Sequence, residues 1–159
     1  MPHRLSRNMP TMQASLYDRE ARAVMVRRIQ ALNEHSPRQW GKMTPAQMLA
    51  HCRVGLEVAL GETRPKRALL GLFMGWFAKR IALGNKPLPK NLPTGPEFLI
   101  RTPRAFEVEQ RALLDALERF GARPAHIGQH PHPFFGALTA HEHDRLQWRH
   151  LDHHLSQFT

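Results

Sequence analysis

The sequence predicts an all-α protein of about five helices with one long crossover. Three observations carry this. Every strongly periodic segment has the apolar spacing of a helix, and no stretch alternates convincingly as a strand. Two segments open with a threonine followed three residues later by Gln or Glu, the signature of a capping box (Thr44 with Gln47, Thr139 with Glu142). Finally, Lys86 to Pro103 holds five prolines, and the first four rule out a helix there. Long crossovers are common in bundles that place metals between facing helices.

The first helix is expected from about Leu16 to His35. Leu16, Ala23, Val24, Ile29 and Leu32 form its buried stripe, and Pro37 ends it. The second begins at the Thr44 cap with Pro45 in its first position, and Met43 and Met48 form a hydrophobic staple. It runs through His51 and Cys52 to about Leu60, where Gly61 stops it. The third, Ala68 to Leu83, has a wide apolar face of Leu69, Leu72, Phe73, Trp76, Phe77 and Ile81, read as core packing. The same face suits a dimer, whereas an interfacial membrane helix calls for a more basic polar face. Thr102-Pro103 is expected to cap a fourth helix reaching about Phe120, with Phe106, Leu113, Leu114 and Leu117 inward. The last helix runs from the Thr139 cap to about Gln157, with Leu146, Leu151, Leu155 and Phe158 in its core stripe.

A chain of 159 residues is expected to form one domain, 1–159, with residues 1–14 a flexible arm. That size buries a core without disulfides or a structural metal, so a metal here would serve function. The single cysteine, Cys52, excludes an internal disulfide framework and fits a reducing compartment. The N-terminus lacks the apolar run of a secretory signal. The apolar stretch from Ala68 to Leu83 is too short and too interrupted to span a bilayer, so a cytoplasmic protein is expected. The formal charge of +10 is concentrated between Gly61 and Arg104, which carry nine Lys/Arg against Glu62 and Glu97. This reads first as a solvated face and basic loop. Binding of nucleic acid or another anionic partner is the second reading, without a motif for base recognition.

His150 and His154 stand four apart, which puts both imidazoles on one helical face one turn from each other. Two such rings can converge on one divalent ion. His51, in the middle of the second helix, is the best third ligand. Three neutral imidazoles leave coordination positions open, the pattern of a catalytic site rather than a structural one. His153 lies about a hundred degrees around the helix from the pair and reads as outer sphere or surface. Asp152 points toward solvent. The loop residues His126, His130 and His132 read as surface or pocket rim, His141 and His143 as solvent-facing, and Cys52 as buried and inert. Trp40, Trp76 and Trp148 read as packing residues.

Three stretches together resemble the DinB/YfiT-like superfamily of metal-binding four-helix bundles. They are Trp40-Gly41-Lys42-Met43-Thr44-Pro45-Ala46-Gln47-Met48-Leu49-Ala50-His51-Cys52, then His132 to Thr139, then His150 to Phe158. Within it the chain is similar to a branch of uncharacterised bacterial proteins with a DinB-related domain of unknown function. The resemblance implies a bundle with a long crossover and an additional short helix. It also implies a histidine triad, which falls on His51, His150 and His154. Related members bind nickel, zinc or another divalent ion, and some use it to activate a low-molecular-weight thiol in transfer or isomerisation. The resulting expectation is a metal-dependent enzyme acting through a thiol or water on a small anionic substrate, with a homodimer through the apolar face of the third helix as a further expected partnership.

Overall fold

The computed structural model describes residues 14–158 apart from Pro93; most of the expected arm at 1–14 lies outside the described residues. Five α-helices follow in order: α1 (Arg19–Gln30), α2 (Pro45–Leu60), α3 (Leu69–Ala82), α4 (Phe106–Ala122) and α5 (Ala140–Leu155). Short 3-10 turns occupy Pro96–Phe98 and Pro124–His126. No strand occurs among the described residues; a single bridge joins His132 to Gly136.

The strongest local signals hold. The Thr44 side chain accepts from the Gln47 amide and the Gln47 side chain accepts from the Thr44 amide, closing the capping box of α2. Thr139 and Glu142 do the same for α5. Gly61 ends α2 in the left-handed region at φ 73°, where a side chain would be strained.

Helices α1, α2, α4 and α5 share one core, with α2 against α4 the most extensive pairing. Fully buried side chains from each line it, among them Met25, Ile29, Met48, Leu49, Leu56, Leu113, Leu117, Phe120, Leu151 and Leu155. One polar anchor crosses that pairing. The buried Glu109 carboxylate of α4 accepts from Arg53 of α2 at 3.0 Å, and Arg53 also meets Glu57 at 2.6 Å. Each charge thus has a partner when water is withdrawn.

Three expectations need correction. α1 starts at Arg19, after an Asp18 cap, and Met25 fills the place assigned to Ala23 and Val24. Leu16 is still buried, but as extended chain held by Asp144, which accepts from the Leu16 amide and the Ser15 hydroxyl. α4 starts at Phe106 rather than at Thr102-Pro103. Thr102 instead meets the start of α2, its carbonyl 3.5 Å from the Gln47 side-chain Nε2, and Ala105 before the helix is extended.

The third correction concerns α3. Its large apolar residues are not core. Gly71, Gly75 and Ala82 face the protein, and Leu69, Leu72, Phe73, Trp76 and Phe77 face outward. The cause is the close approach of the 132–136 loop. A Cβ at Gly71 would lie 2.5 Å from the Phe134 carbonyl oxygen, and one at Gly75 would lie 2.6 Å from it. Only glycine lets the backbones come so near, and that contact sets the rotation of the helix.

Candidate metal centre

Helix α2 presents His51 from its buried face, opposite the turn of α5 that presents His150 and His154. Gly55, one turn after His51, makes the approach of the two helices possible. A Cβ there would meet the His150 ring at 3.3 Å and Gln147 Oε1 at 3.2 Å. The three imidazoles each offer a ring nitrogen, and these atoms lie within 4.8 Å of one another. His51 Nε2 and His150 Nε2 are 2.9 Å apart. The rings of His51 and His154 stand 4.5 Å apart, edge to face.

Two of the rings are oriented from behind. The Nδ1 of His51 lies 2.9 Å from the Phe98 carbonyl oxygen, an acceptor only, so Nδ1 carries the proton and Nε2 keeps its lone pair. The Nδ1 of His154 lies 2.9 Å from Gln157 Oε1, which fixes its ring in the same way. Metal-ligating histidines are held by this arrangement of a donated Nδ1 proton and a free Nε2.

Burial keeps the rings neutral. It lowers the His51 pKa, with the Phe98 hydrogen bond opposing. Burial, then the neighbouring His154 and His51, puts His150 well below the usual histidine range. Burial, then His51, lowers His154 to about 3. Neutral imidazole is the form that ligates, so the set requires no deprotonation at pH 7. Three converging ring nitrogens, two of them braced, fit a divalent ion, for which His150 would move the Nε2 proton it shares with His51 to its Nδ1. A tetrahedral ion would hold its ligands about 3.3 Å apart, so the His51–His150 pair would open slightly on loading.

Gln157 is itself constrained. A Cβ at Gly41 would lie 2.3 Å from Gln157 Nε2, and Gly41 sits at φ 82°. Gln157→Leu removes the acceptor for His154 and is expected to lower zinc affinity about ten- to a hundredfold while the chain stays folded. Calorimetric titration with zinc checks this; unchanged affinity would show that Gln157 does not orient the ring.

The remaining expected residues divide. His153 stays outside the triad: half-buried, its ring lies 4.7 Å from Trp40 and 5.1 Å from His154. Asp152 is exposed and pairs with Arg28 at 2.6 Å. Cys52 is fully buried beside Met48 Sδ, as expected, and burial pushes its thiol pKa up. His126 and His141 are exposed.

Two histidines and one tryptophan depart from expectation. His132 is buried, its Nδ1 accepting from the Phe134 and Phe135 amides at 3.1 and 3.2 Å in the tight loop closed by the His132–Gly136 bridge. His143, expected in solvent, is 1% exposed, and neither ring nitrogen meets a partner among the described residues. It lies on the stripe 143, 147, 150, 154, the inward side of α5, together with Gln147, whose Nε2 donates to the Gly55 carbonyl. Trp76 is exposed because α3 is rotated by its glycines.

The roles of Phe98, Gln157, Gln147 and Gly55 were not read from the sequence. Gln157, three residues after His154, had a usable signal; a backbone carbonyl in the proline-rich crossover had none.

An open hollow of about 170 Å³ adjoins His153, lined also by Trp40, Lys90, Arg149 and the Asp152 carboxylate that pairs with Arg28. The Lys90 ammonium lies 5.5 Å from the centre of the Trp40 ring. A family model described as "Protein of unknown function (DUF1569)" matches residues 12–159. No curated protein and no solved structure matches the chain.

Proposed function

The chain belongs to the DUF1569 family of proteins of unknown function, and we propose that it is a metal-dependent enzyme of the DinB-like type. In this reading the four helices that share the core form a DinB-like bundle, and His51, His150 and His154 hold nickel or zinc. The single observation that carries it is the convergence of three imidazole nitrogens within 4.8 Å, two of them braced through Nδ1.

When bound at three neutral imidazoles, a divalent ion supplies Lewis acidity and acidifies a thiol or water that reaches its open positions. The chain's own residues do the rest. Phe98 and Gln157 keep the Nε2 lone pairs aimed inward. Lys90, beside the hollow at Trp40 and His153, suits an anionic substrate. The reaction class is transfer to or from a small thiol, or hydrolysis.

Metal analysis tests this directly. Protein prepared without a nickel column should hold about one divalent ion per chain, or take up one from added zinc or nickel with a rise in melting temperature. No ion and no rise would end the metal reading.

A further inference from the structure

We propose that the outward face of α3 docks onto an anionic lipid bilayer. Phe73 is 85% exposed, Leu69 76% and Trp76 70%, and Leu70, Leu72 and Phe77 are each more than half exposed. Single exposed apolar residues need no explanation, but a contiguous set on one helix marks a surface that another body covers.

The seating of α3 gives that surface its shape. Gly71 and Gly75 lay the helix flat on the backbone of Phe134, so its long side chains point away from the protein. An isolated interfacial helix needs a basic polar face of its own. Here the glycine face is covered by the protein, and the protein itself occupies the side away from lipid. At 14 residues the helix is about 21 Å long, which suits lying in the membrane plane rather than crossing it. No helix of the described residues is long and apolar enough to cross a membrane.

Charge selects the occupant. α3 contains no acidic residue, and the segment 61–104 carries nine cations against two acids. Arg64, Lys66 and Arg67 precede the helix and are exposed, and the Arg80 guanidinium at its end lies 5.3 Å from the centre of the Trp76 ring, whereas Lys79 turns back to pair with Glu142 at 2.8 Å. An aromatic set bordered by cations matches the headgroup level of a bilayer, where anionic lipid attracts each nearby Lys or Arg by about 1 kcal/mol. A second copy of the chain covers the apolar residues only by bringing two basic segments together. A nucleic acid takes the charge but leaves Leu69, Leu70 and Leu72 in water.

The experiment is vesicle co-sedimentation of the full chain, read together with tryptophan emission. Vesicles of phosphatidylcholine are compared with vesicles that also contain phosphatidylglycerol. The chain should partition onto the anionic vesicles, with a blue shift in emission and weaker binding as salt rises, and should ignore phosphatidylcholine alone. The double variant F73E/W76E should lose about tenfold or more of that partitioning. Both side chains are exposed, so an unchanged melting temperature is expected and is measured alongside. No partitioning onto anionic vesicles overturns the proposal, as does partitioning that survives the double variant. A dimer in analytical ultracentrifugation that F73E/W76E dissociates would also overturn it and assign the face to a second copy.

Discussion

Replacing His150 with alanine is expected to abolish the stabilisation that zinc or nickel gives the protein. With free metal at a hundred times its dissociation constant, one bound ion stabilises the folded state by about 2.7 kcal/mol. For a domain of this size that corresponds to a rise of about 5–10 °C in melting temperature. His150 Nε2 stands 2.9 Å from His51 Nε2 and links the α2 side of the site to the α5 side. Without it, His51 and His154 remain as two ligands, too few to exclude water and fix one geometry. The thermal shift should vanish and metal content should fall below a tenth of an equivalent, the level left at that metal concentration by about a thousandfold or greater loss of affinity. His153→Ala provides the contrast. His153 is the neighbour of His154 in sequence, but its ring sits against Trp40. That variant should keep one ion per chain and the full thermal shift. Metal retained by His150→Ala, or lost equally from both variants, would show that the triad is not the binding site.

The contrast also marks how far the sequence could be read. The two capping boxes, the i, i+4 pair and the stop at Gly61 are local. Each is decided by residues within one turn of the helix that uses them, and each holds in the structure. The approach of His51 to that pair is not local. Helical periodicity put all three on inward faces and made His51 the best third ligand, and the resemblance made its pairing with α5 much firmer. What failed depended on a contact with a remote segment. Gly71 and Gly75 looked like interruptions of an apolar helix, when their spacing of four marks the face that a backbone can approach most closely. Reading that spacing as a contact face would have turned Phe73 and Trp76 outward. His143 was placed in solvent because it lies in the first turn of α5, although the stripe 143, 147, 150, 154 was present in the sequence. The Phe98 carbonyl belongs to the crossover, where no periodicity announces which peptide will face a ring. Thus the donor atoms were legible, and the groups that aim them largely were not.

Acid should unfold the metal-free protein well before its carboxylates titrate, because several neutral histidines are buried. Burial lowers His132 to about 3, with repulsion from His143 adding to it, and lowers His143 to about 4. Both folded values lie below the unfolded value of about 6.5. Between those values the unfolded chain holds the extra proton, so stability is full above about pH 6.5 and is lost as pH falls through the folded pKa. Each histidine then contributes a slope of up to about 1.4 kcal/mol per pH unit. Together the two should remove about 5 kcal/mol between pH 6.5 and 4.5, a large part of the stability of a typical domain. His51, His150 and His154 act in the same direction when no metal is bound, since their values are lowered too. Urea unfolding of metal-stripped protein at a series of pH values measures the slope, and His143→Phe separates its parts. That variant removes one titrating ring and two ring nitrogens that meet no partner among the described residues. It should flatten the slope by about 1.4 kcal/mol per pH unit and leave the protein at least as stable at pH 7, because an unpartnered buried polar group costs about 1–3 kcal/mol. A flat profile from pH 6.5 to 4.5, or a slope unchanged in His143→Phe, would mean that His143 takes up its proton while the protein is still folded.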